Sequence, residues 1–179
     1  MTSSLLFLSL VILLAKSSGG VLLVVAHGNG AGLTHIHLYM HKTFLGPNAT
    51  TMTVVPSRLG GNASFGAIGV LDNDLRDGPD LSNSSLVGRF QGIFAFAGLA
   101  SPPGMQSVTS FVFTAGEHNG STLAMVGTIM SFEGDFERAV VGGTGAFRMA
   151  RGYCVMKTVS TPTPESMVNE VNLFVKMDD

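Results

Sequence analysis

Short stretches of alternating apolar and polar residues dominate the chain, and the clearest one spans residues 34–41. Within it Ile36, Leu38 and Met40 fall on one face of an extended strand, while the histidines and Tyr39 fall on the other. No segment shows the apolar spacing of three and four residues that is typical of an amphipathic helix. The pattern therefore predicts a chain built from β-strands.

Nine such stretches are separated by clusters of glycine, proline and asparagine, the residues that tight turns require. Examples of these turns are Asp77-Gly78-Pro79 and Asn119-Gly120. Short strands at this spacing predict a single all-β domain, either a barrel or a sandwich. The predicted strands cover residues 34–40, 51–55, 67–72, 86–97, 107–114, 122–130, 138–141, 146–159 and 169–176.

The alternation along the first strand also places Lys42 on the apolar face, two residues after Met40. A charge inside a barrel needs either a water-filled opening or a carboxylate partner, because an unpaired buried charge costs several kcal/mol. Asp72, Asp74 and Glu137 are the candidate partners. Lys42 is therefore predicted to mark the mouth of the barrel.

Length, charge and cysteine content limit the number of domains and the classes of partner. The chain has 179 residues, a net charge of -2, 12% charged and 45% hydrophobic residues. This length fits one domain, and the charge gives no basic field that would attract a phosphate backbone, so nucleic acid is excluded as a partner. Cys154 is the only cysteine and cannot form a disulfide within the chain.

The N-terminus predicts export. Residues 5–15 form an apolar run of signal-peptide length, too short to span a bilayer as a helix. Cleavage is ambiguous between the small residues Ser17 to Gly19 and Ala26, and we favour Ala26. Residues 1–26 are thus expected to be a removable signal peptide and 27–179 a secreted, extracellular domain without a membrane anchor.

Four acceptor sequences for N-linked sugars agree with the secretory route. One such triplet would carry little weight, but four in turn-rich segments of one chain favour a glycoprotein. Asn119 also begins an Asn-Gly pair that is typical of a type I′ hairpin turn, and both interpretations can hold at that site. The predicted glycosylation sites are Asn48, Asn62, Asn83 and Asn119.

The sequence contains no complete catalytic or metal-binding motif of a familiar kind. His35, His37 and His41 share a strand face, but His41 lies too far along the strand for one ion, so they are interpreted as outward polar or subunit-contact residues. The run of residues 142–145, Gly-Gly-Thr-Gly, lacks the lysine of a phosphate-binding loop and is interpreted as a tight turn. An acidic loop around Asp77 lacks calcium-binding spacing. No metal and no cofactor are predicted.

Several segments together resemble the plant dirigent family. Residues 119–123 read Asn-Gly-Ser-Thr-Leu, residues 140–153 contain Val-Val-Gly-Gly-Thr-Gly and Ala-Arg-Gly-Tyr, and residues 87–92 read Val-Gly-Arg-Phe-Gln-Gly. The stretches 35–41 and 46–55 are similar to the first hairpin of the family. Several motifs in the right order, spanning about 34–176, are far more specific than any one of them.

This resemblance implies an eight-stranded antiparallel β-barrel similar to that of allene oxide cyclase, assembled as a homodimer or homotrimer and exported to the apoplast and cell wall. It further implies that the protein orients phenoxy radicals of monolignols such as coniferyl alcohol during lignan or lignin-type coupling. A separate laccase or peroxidase would generate the radicals. Holding a radical in a shaped apolar cavity favours one coupling geometry over the many that diffusion allows.

The chain departs from the family pattern at the expected pocket. Lys42 stands where lignan-forming members usually have an aspartate, residues 127–129 read Gly-Thr-Ile without the usual acidic residue or asparagine, and Phe136 replaces an arginine. A pair of pocket carboxylates could serve as general acid and base, which lysine and isoleucine cannot reproduce. No catalytic residue is assigned. The residues expected to line the interior and bind the substrate are Lys42, Met40, Asp72, Phe94 and Ile129.

Two other functions remain open. The barrel could be an isomerase or cyclase related to allene oxide cyclase, in which a desolvated Lys42 acts as the base. It could also be a cell-wall protein that binds carbohydrate or phenolic compounds. A coupling guide yields product only when an oxidase is added, whereas a cyclase converts its precursor alone.

Overall fold

The computed structural model describes residues 32–99 and 104–177. The signal peptide predicted for residues 1–26 lies outside these ranges. The described chain forms nine antiparallel strands and a single turn of 3-10 helix, Gly145–Phe147. The strands are β1 (Leu33–Thr43), β2 (Thr51–Val55), β3 (Ile68–Arg76), β4 (Leu86–Phe96), β5 (Met105–Phe113), β6 (Thr122–Ile129), β7 (Asp135–Thr144), β8 (Arg151–Thr163) and β9 (Ser166–Lys176).

The nine strands close into a barrel with eight positions. Neighbouring strands follow the order β1-β9-β8-β7-β6-β5-β4-β3-β2, and an additional pairing of β1 with β3 closes the sheet. Strand β1 pairs with the second half of β3, where Met40 faces Leu75, and β2 pairs with the first half, where Met52 faces Val70. Strands β1 and β2 therefore share one barrel position, and the predicted all-β, eight-stranded antiparallel barrel is confirmed.

This closure corrects one expectation. Residues 35–41 and 46–55 do not form a hairpin, because β1 and β2 lie end to end along β3 instead of pairing with each other. The intervening segment forms a local bridge, in which the backbone N–H of Thr50 donates to the carbonyl oxygen of Thr43 over 2.9 Å. The N–H of Asp72 on β3 in turn donates to the carbonyl oxygen of Thr50 over 2.7 Å. The segment 44–50 therefore interrupts the one barrel position that β1 and β2 share.

A second correction concerns the glycine-rich run of residues 142–145. Gly142, Gly143 and Thr144 belong to β7 and pair with β6, so the chain turns only after them, at the 3-10 helix. Position 143 has no room for a side chain, since a Cβ on Gly143 would lie 2.3 Å from the carbonyl oxygen of Thr122. Gly145 has a φ of 61°, in the left-handed region that favours glycine. The run is a tightly packed strand end and not a turn.

The barrel interior divides into two halves along its axis. At one end the inward side chains of all the long strands pack into an apolar core, and at the other end they surround a cavity. Alternation along each strand produces this inner face, because every second residue points inward. The core comprises Ile36, Leu38, Met40, Leu75, Val87, Phe90, Phe111, Phe113, Leu123, Met125, Val140, Phe147, Ala150, Cys154, Met156, Val171, Leu173 and Val175.

Across the described ranges, no helix has the length and apolar character needed to cross a bilayer.

Candidate functional site

The cavity has a volume of about 450 Å³ and occupies the end of the barrel that carries the β1–β2 interruption and the β8–β9 turn. Its walls are predominantly apolar and rich in phenylalanine and methionine. This size and lining are typical of a site for a small aromatic molecule. The apolar wall is formed by Met40, Phe44, Leu45, Met52, Ala63, Leu71, Phe90, Phe94, Phe96, Met105, Ile129, Phe132, Phe136, Met156 and Met167.

An incomplete ring of polar side chains lies between the apolar wall and the core, and Met40, Phe90 and Met156 belong to both regions. On β3, β5 and β7 the residue two positions before a core residue is polar, as with Thr109 before Phe111 and Arg138 before Val140, and on β8 Thr158 lies two positions after the core residue Met156. The depth of the cavity is set by this change from polar to apolar inward residues. We call this ring, formed by Asn73, Ser107, Thr109, Arg138 and Thr158, the polar belt.

Only some of the hydrogen-bonding groups of the polar belt have a partner among the described residues. Asn73 accepts hydrogen bonds at Oδ1 from the hydroxyls of Thr50 and Thr51 over 2.7 and 2.9 Å. Arg138 donates from Nη2 to the carbonyl oxygen of Ser107 over 3.1 Å. Its Nε, the Ser107 hydroxyl and the Thr109 hydroxyl are buried and have no partner among the described residues. Because unmet buried donors are costly, this side of the belt is suited to receive polar atoms of a ligand.

Lys42 lies on the cavity wall, one inward position closer to the mouth than Met40. Its ammonium nitrogen is 5.7 Å from the centroid of the Phe44 ring, within range of a cation–π contact. Burial lowers the pKa of Lys42 from 10.5 to about 8, since the charged form loses hydration. No carboxylate within the described ranges forms a salt bridge with it.

The placement of Asp72 in the interior was wrong. Leu71, Asn73 and Leu75 take the inward positions of β3, so Asp72 points outward. It accepts a hydrogen bond from Arg89 Nε over 2.8 Å, and this bond holds the pKa of the Asp72 carboxyl below its usual range. The inward polar residue of this strand is Asn73.

The other two proposed partners of Lys42 also point outward. Asp74 pairs with the Arg89 guanidinium on the outer face, and Glu137 is exposed between the inward residues Phe136 and Arg138. The same alternation that places Lys42 inside thus places these carboxylates outside.

The remaining site predictions lie where they were expected. Met40, Phe94 and Ile129 all contact the cavity and are at most 6% exposed. Arg138, Ser107 and Thr109 were missed. The signal that could have found Arg138 is its position between the inward residues Phe136 and Val140 on a strand with alternating pattern.

The histidines of β1 lie outside the cavity. His35 stacks on Phe174 with ring centroids 4.6 Å apart, and Nε2 of His37 lies at hydrogen-bond distance, 2.8 Å, from a carboxylate oxygen of Glu170. His41 is buried, and its Nε2 lies 3.1 Å from the carbonyl oxygen of Gly78. Over residues 32–99 and 104–177, no group of three potential ligands is placed to hold a metal ion.

The family model for dirigent-like proteins matches residues 33–176, which include every strand of the barrel and the whole cavity. The chain is therefore a member of the dirigent family.

Among its relatives, Dirigent protein 11 of Arabidopsis thaliana is 40% identical over 146 residues, covering 80% of this chain and 74% of that protein. Pterocarpan synthase 1 of Glycyrrhiza echinata is also 40% identical, over 79% of this chain and 77% of that protein. The solved structure of the pterocarpan synthase dirigent protein GePTS1 superposes with a TM-score of 0.72 at 37% identity, covering 82% of this chain and 91% of that one.

Proposed function

We propose that this protein binds a phenylpropanoid in its barrel cavity and directs the coupling of phenoxy radicals that a separate oxidase generates. The observation that carries the proposal is a 450 Å³ cavity with aromatic walls and a polar belt at its floor, on a dirigent barrel. Flat aromatic walls hold a ring in a restricted orientation, and the polar belt fixes which end of the ligand points inward. Coniferyl alcohol and similar monolignols are the expected substrates.

Orientation is the physical contribution of such a cavity. A free phenoxy radical has several reactive positions and couples at any of them on diffusional encounter. Phe90, Phe94 and Phe136 line the cavity, so a ring bound between them would be open to a second radical only toward the mouth. Fixing one geometry raises its effective concentration relative to the others.

The test is to oxidise several monolignols with a one-electron oxidant in the presence and absence of the protein. We expect non-racemic coupling products only when both oxidant and protein are present. Product from protein without oxidant would instead support the second candidate function.

The second candidate is a ring-closing activity. It is favoured by the relatives named pterocarpan synthase at 37 to 40% identity and by the lowered pKa of Lys42, which leaves a fraction of the amine free to act as a base near neutral pH. Incubating the protein with unsaturated or hydroxylated isoflavonoid precursors, without oxidant, tests it. Loss of turnover in Lys42→Met, with retained ligand binding, would identify the base.

We also propose that the protein is secreted and glycosylated, with removal of residues 1–26. The support lies in the loops: Asn48, Asn62, Asn83 and Asn119 are all exposed and lie outside the strands. An oligosaccharide can be attached at each of these positions without disturbing the core. Asn62 also borders the cavity mouth, so a sugar there would lie beside the ligand entrance.

A homo-oligomer, either dimer or trimer, is proposed from the outer face. Val70, Ile93 and Val108 are direct neighbours across β3, β4 and β5 and form an apolar row. Each is 38 to 55% exposed. A row of this kind on the outer sheet face is typical of a surface covered by another copy of the chain.

A further inference from the structure

The substrate class of the cavity follows from its charges. We propose that the cavity selects an aromatic carboxylate, with the carboxylate seated against Arg138 at the floor and the ring between the phenylalanines above it. The inference rests on the proposed function only in assuming that the cavity binds a phenylpropanoid-type ring, and it adds that a ring carrying a carboxylate is bound in preference to the corresponding neutral alcohol.

The charges lining the cavity are of one sign. Arg138 and Lys42 are its ionisable groups, and no carboxylate lines it within the described ranges. Asp72 and Asp74 on β3 and Glu137 on β7 point outward. Two cations in an apolar cavity are stabilised most by an anion that enters between them.

Unsatisfied donors cluster beside one of these cations. Ser107 and Thr109 are two residues apart on β5, so their hydroxyls share the inner face. The bond from Arg138 Nη2 to the Ser107 carbonyl holds the guanidinium against the same strand. Arg138 Nε and both hydroxyls are buried and have no partner in the part of the chain that the structure describes, and all three residues are at most 3% exposed.

This arrangement fits a carboxylate better than a neutral hydroxyl. A carboxylate has two acceptor oxygens that can take one hydrogen bond from Arg138 Nε and others from the two hydroxyls. A bond between a charged donor and a charged acceptor is roughly twice as strong as one between neutral groups. A neutral alcohol in this place would leave the arginine charge uncompensated.

The two cations have different parts in this scheme. Arg138 lies at the floor, two residues before the core residue Val140, and remains charged at all ordinary pH values. Lys42 lies nearer the mouth, beside Phe44, and adds an attractive field for an entering anion. We therefore expect Arg138 to set the preference for a carboxylate and Lys42 to strengthen it.

The experiment compares three probes of nearly equal shape by isothermal titration calorimetry at about pH 7. They are 4-hydroxycinnamic acid, its methyl ester and 4-hydroxycinnamyl alcohol. The acid is expected to bind at least about tenfold more tightly than either neutral probe, which corresponds to roughly 1.4 kcal/mol.

Substitutions then test whether Arg138 causes the preference for the acid over the alcohol. Arg138→Gln should weaken binding of the acid by about tenfold or more and change binding of the alcohol by less than about twofold. Arg138→Lys should retain part of the preference because it keeps the charge. Arg148→Gln, at an exposed position after the 3-10 helix, is the matched control and should change neither.

If Arg138→Gln does not fold, the double variant Ser107→Ala/Thr109→Val tests the same site with the charge in place. It should reduce binding of the acid severalfold and leave the alcohol unchanged. Equal or tighter binding of the alcohol to the unaltered protein would overturn the inference while leaving the proposed function intact. Failure of all three probes to bind would overturn both.

Discussion

Single residues decide the chemistry of this barrel, and their orientation follows from the alternation of each strand. Lys42 could be placed inside from its sequence because Ile36, Leu38 and Met40 give β1 an unambiguous phase. Asp72 could not, since β3 carries apolar residues on both faces: Leu71 points inward and Val70 is 38% exposed outside. A one-residue error of phase exchanges Asp72 for Asn73 and turns an apparently acidic pocket into a cationic one.

Lys42→Met should stabilise the protein at neutral pH. The folded-state pKa of about 8 lies below the value of 10.5 for the free side chain, so folding disfavours the protonated amine. At about pH 6.5 both states are protonated and the penalty is present in full. The gain should be about 2 kcal/mol, less than the whole shift implies because the ammonium keeps part of its hydration.

The change of folding stability with pH tests whether Lys42 is desolvated in the folded protein. Between about pH 8 and pH 10 the unfolded chain binds more protons than the native one, so the stability of the unaltered protein rises and the advantage of Lys42→Met shrinks. Urea unfolding at about pH 6.5 and pH 9.5 measures it, with the exposed Lys157→Met as control. An advantage that grows with pH would show that Lys42 is paired and not merely desolvated.

Among the elements, strand existence could be predicted and strand ends could not. All nine predicted stretches overlap strands of the structure, because alternation and turn residues are local signals. The same local signals predict a turn at Gly142 to Thr144, but pairing with β6 keeps these residues extended. The shared position of β1 and β2 depends on contacts with β3 that lie far away in the sequence, and no local pattern encodes it.

The glycines of β4 allow this strand to pack closely against β5. Gly88 and Gly92 belong to the Val-Gly-Arg-Phe-Gln-Gly run, and a Cβ at Gly92 would lie 2.2 Å from the carbonyl oxygen of Val108 on β5. Gly92→Ala should therefore separate β4 from β5 and lower the free energy of unfolding by about 3 kcal/mol. Gln91→Ala, one residue away on the outer face, should change it by less than about 0.5 kcal/mol. Thermal or urea unfolding of both variants makes the comparison, and equal effects would contradict the assigned packing.

At the scale of the whole molecule, the closed barrel places the cavity at one end and the proposed contact face on its side. The apolar row centred on Ile93 lies outside the cavity wall, on the strands that also carry Phe94 and Thr109 inside. Assembly through this row would stiffen one cavity wall. The barrel and the apolar cavity lining were predictable from pattern and family resemblance. The polar belt required the three-dimensional arrangement of several strands.

Ile93→Asp should dissociate the proposed oligomer. A carboxylate in the middle of an apolar contact loses hydration without gaining a partner. Sedimentation equilibrium should give the monomer mass for this variant and a dimer or trimer for the unaltered protein. Val159→Asp, at a similarly exposed apolar position on β8, should leave the assembly intact. A monomeric unaltered protein would rule out the proposed contact.

The protein purified from a plant secretory host should begin near residue 27 and carry sugars on at least two of its four acceptor asparagines. Enzymatic deglycosylation should then increase its gel mobility, and N-terminal sequencing should show the cleavage. Asn48→Gln and Asn83→Gln should each remove the mass of one oligosaccharide without loss of folding, because both side chains are exposed. A chain that starts at Met1 and shows no mobility change would contradict the proposed export.

The most direct test of the central claim is the enantiomeric excess of the product formed from a monolignol and a one-electron oxidant. Two variants of neighbouring β5 residues are compared with the unaltered protein: Thr109→Phe fills the cavity from its wall, and Ser110→Phe adds the same ring to the outer face. We predict a non-racemic product from the unaltered protein and from Ser110→Phe, and a racemic one from Thr109→Phe. Racemic product from the unaltered protein with every monolignol, or undiminished selectivity in Thr109→Phe, would contradict coupling inside this cavity.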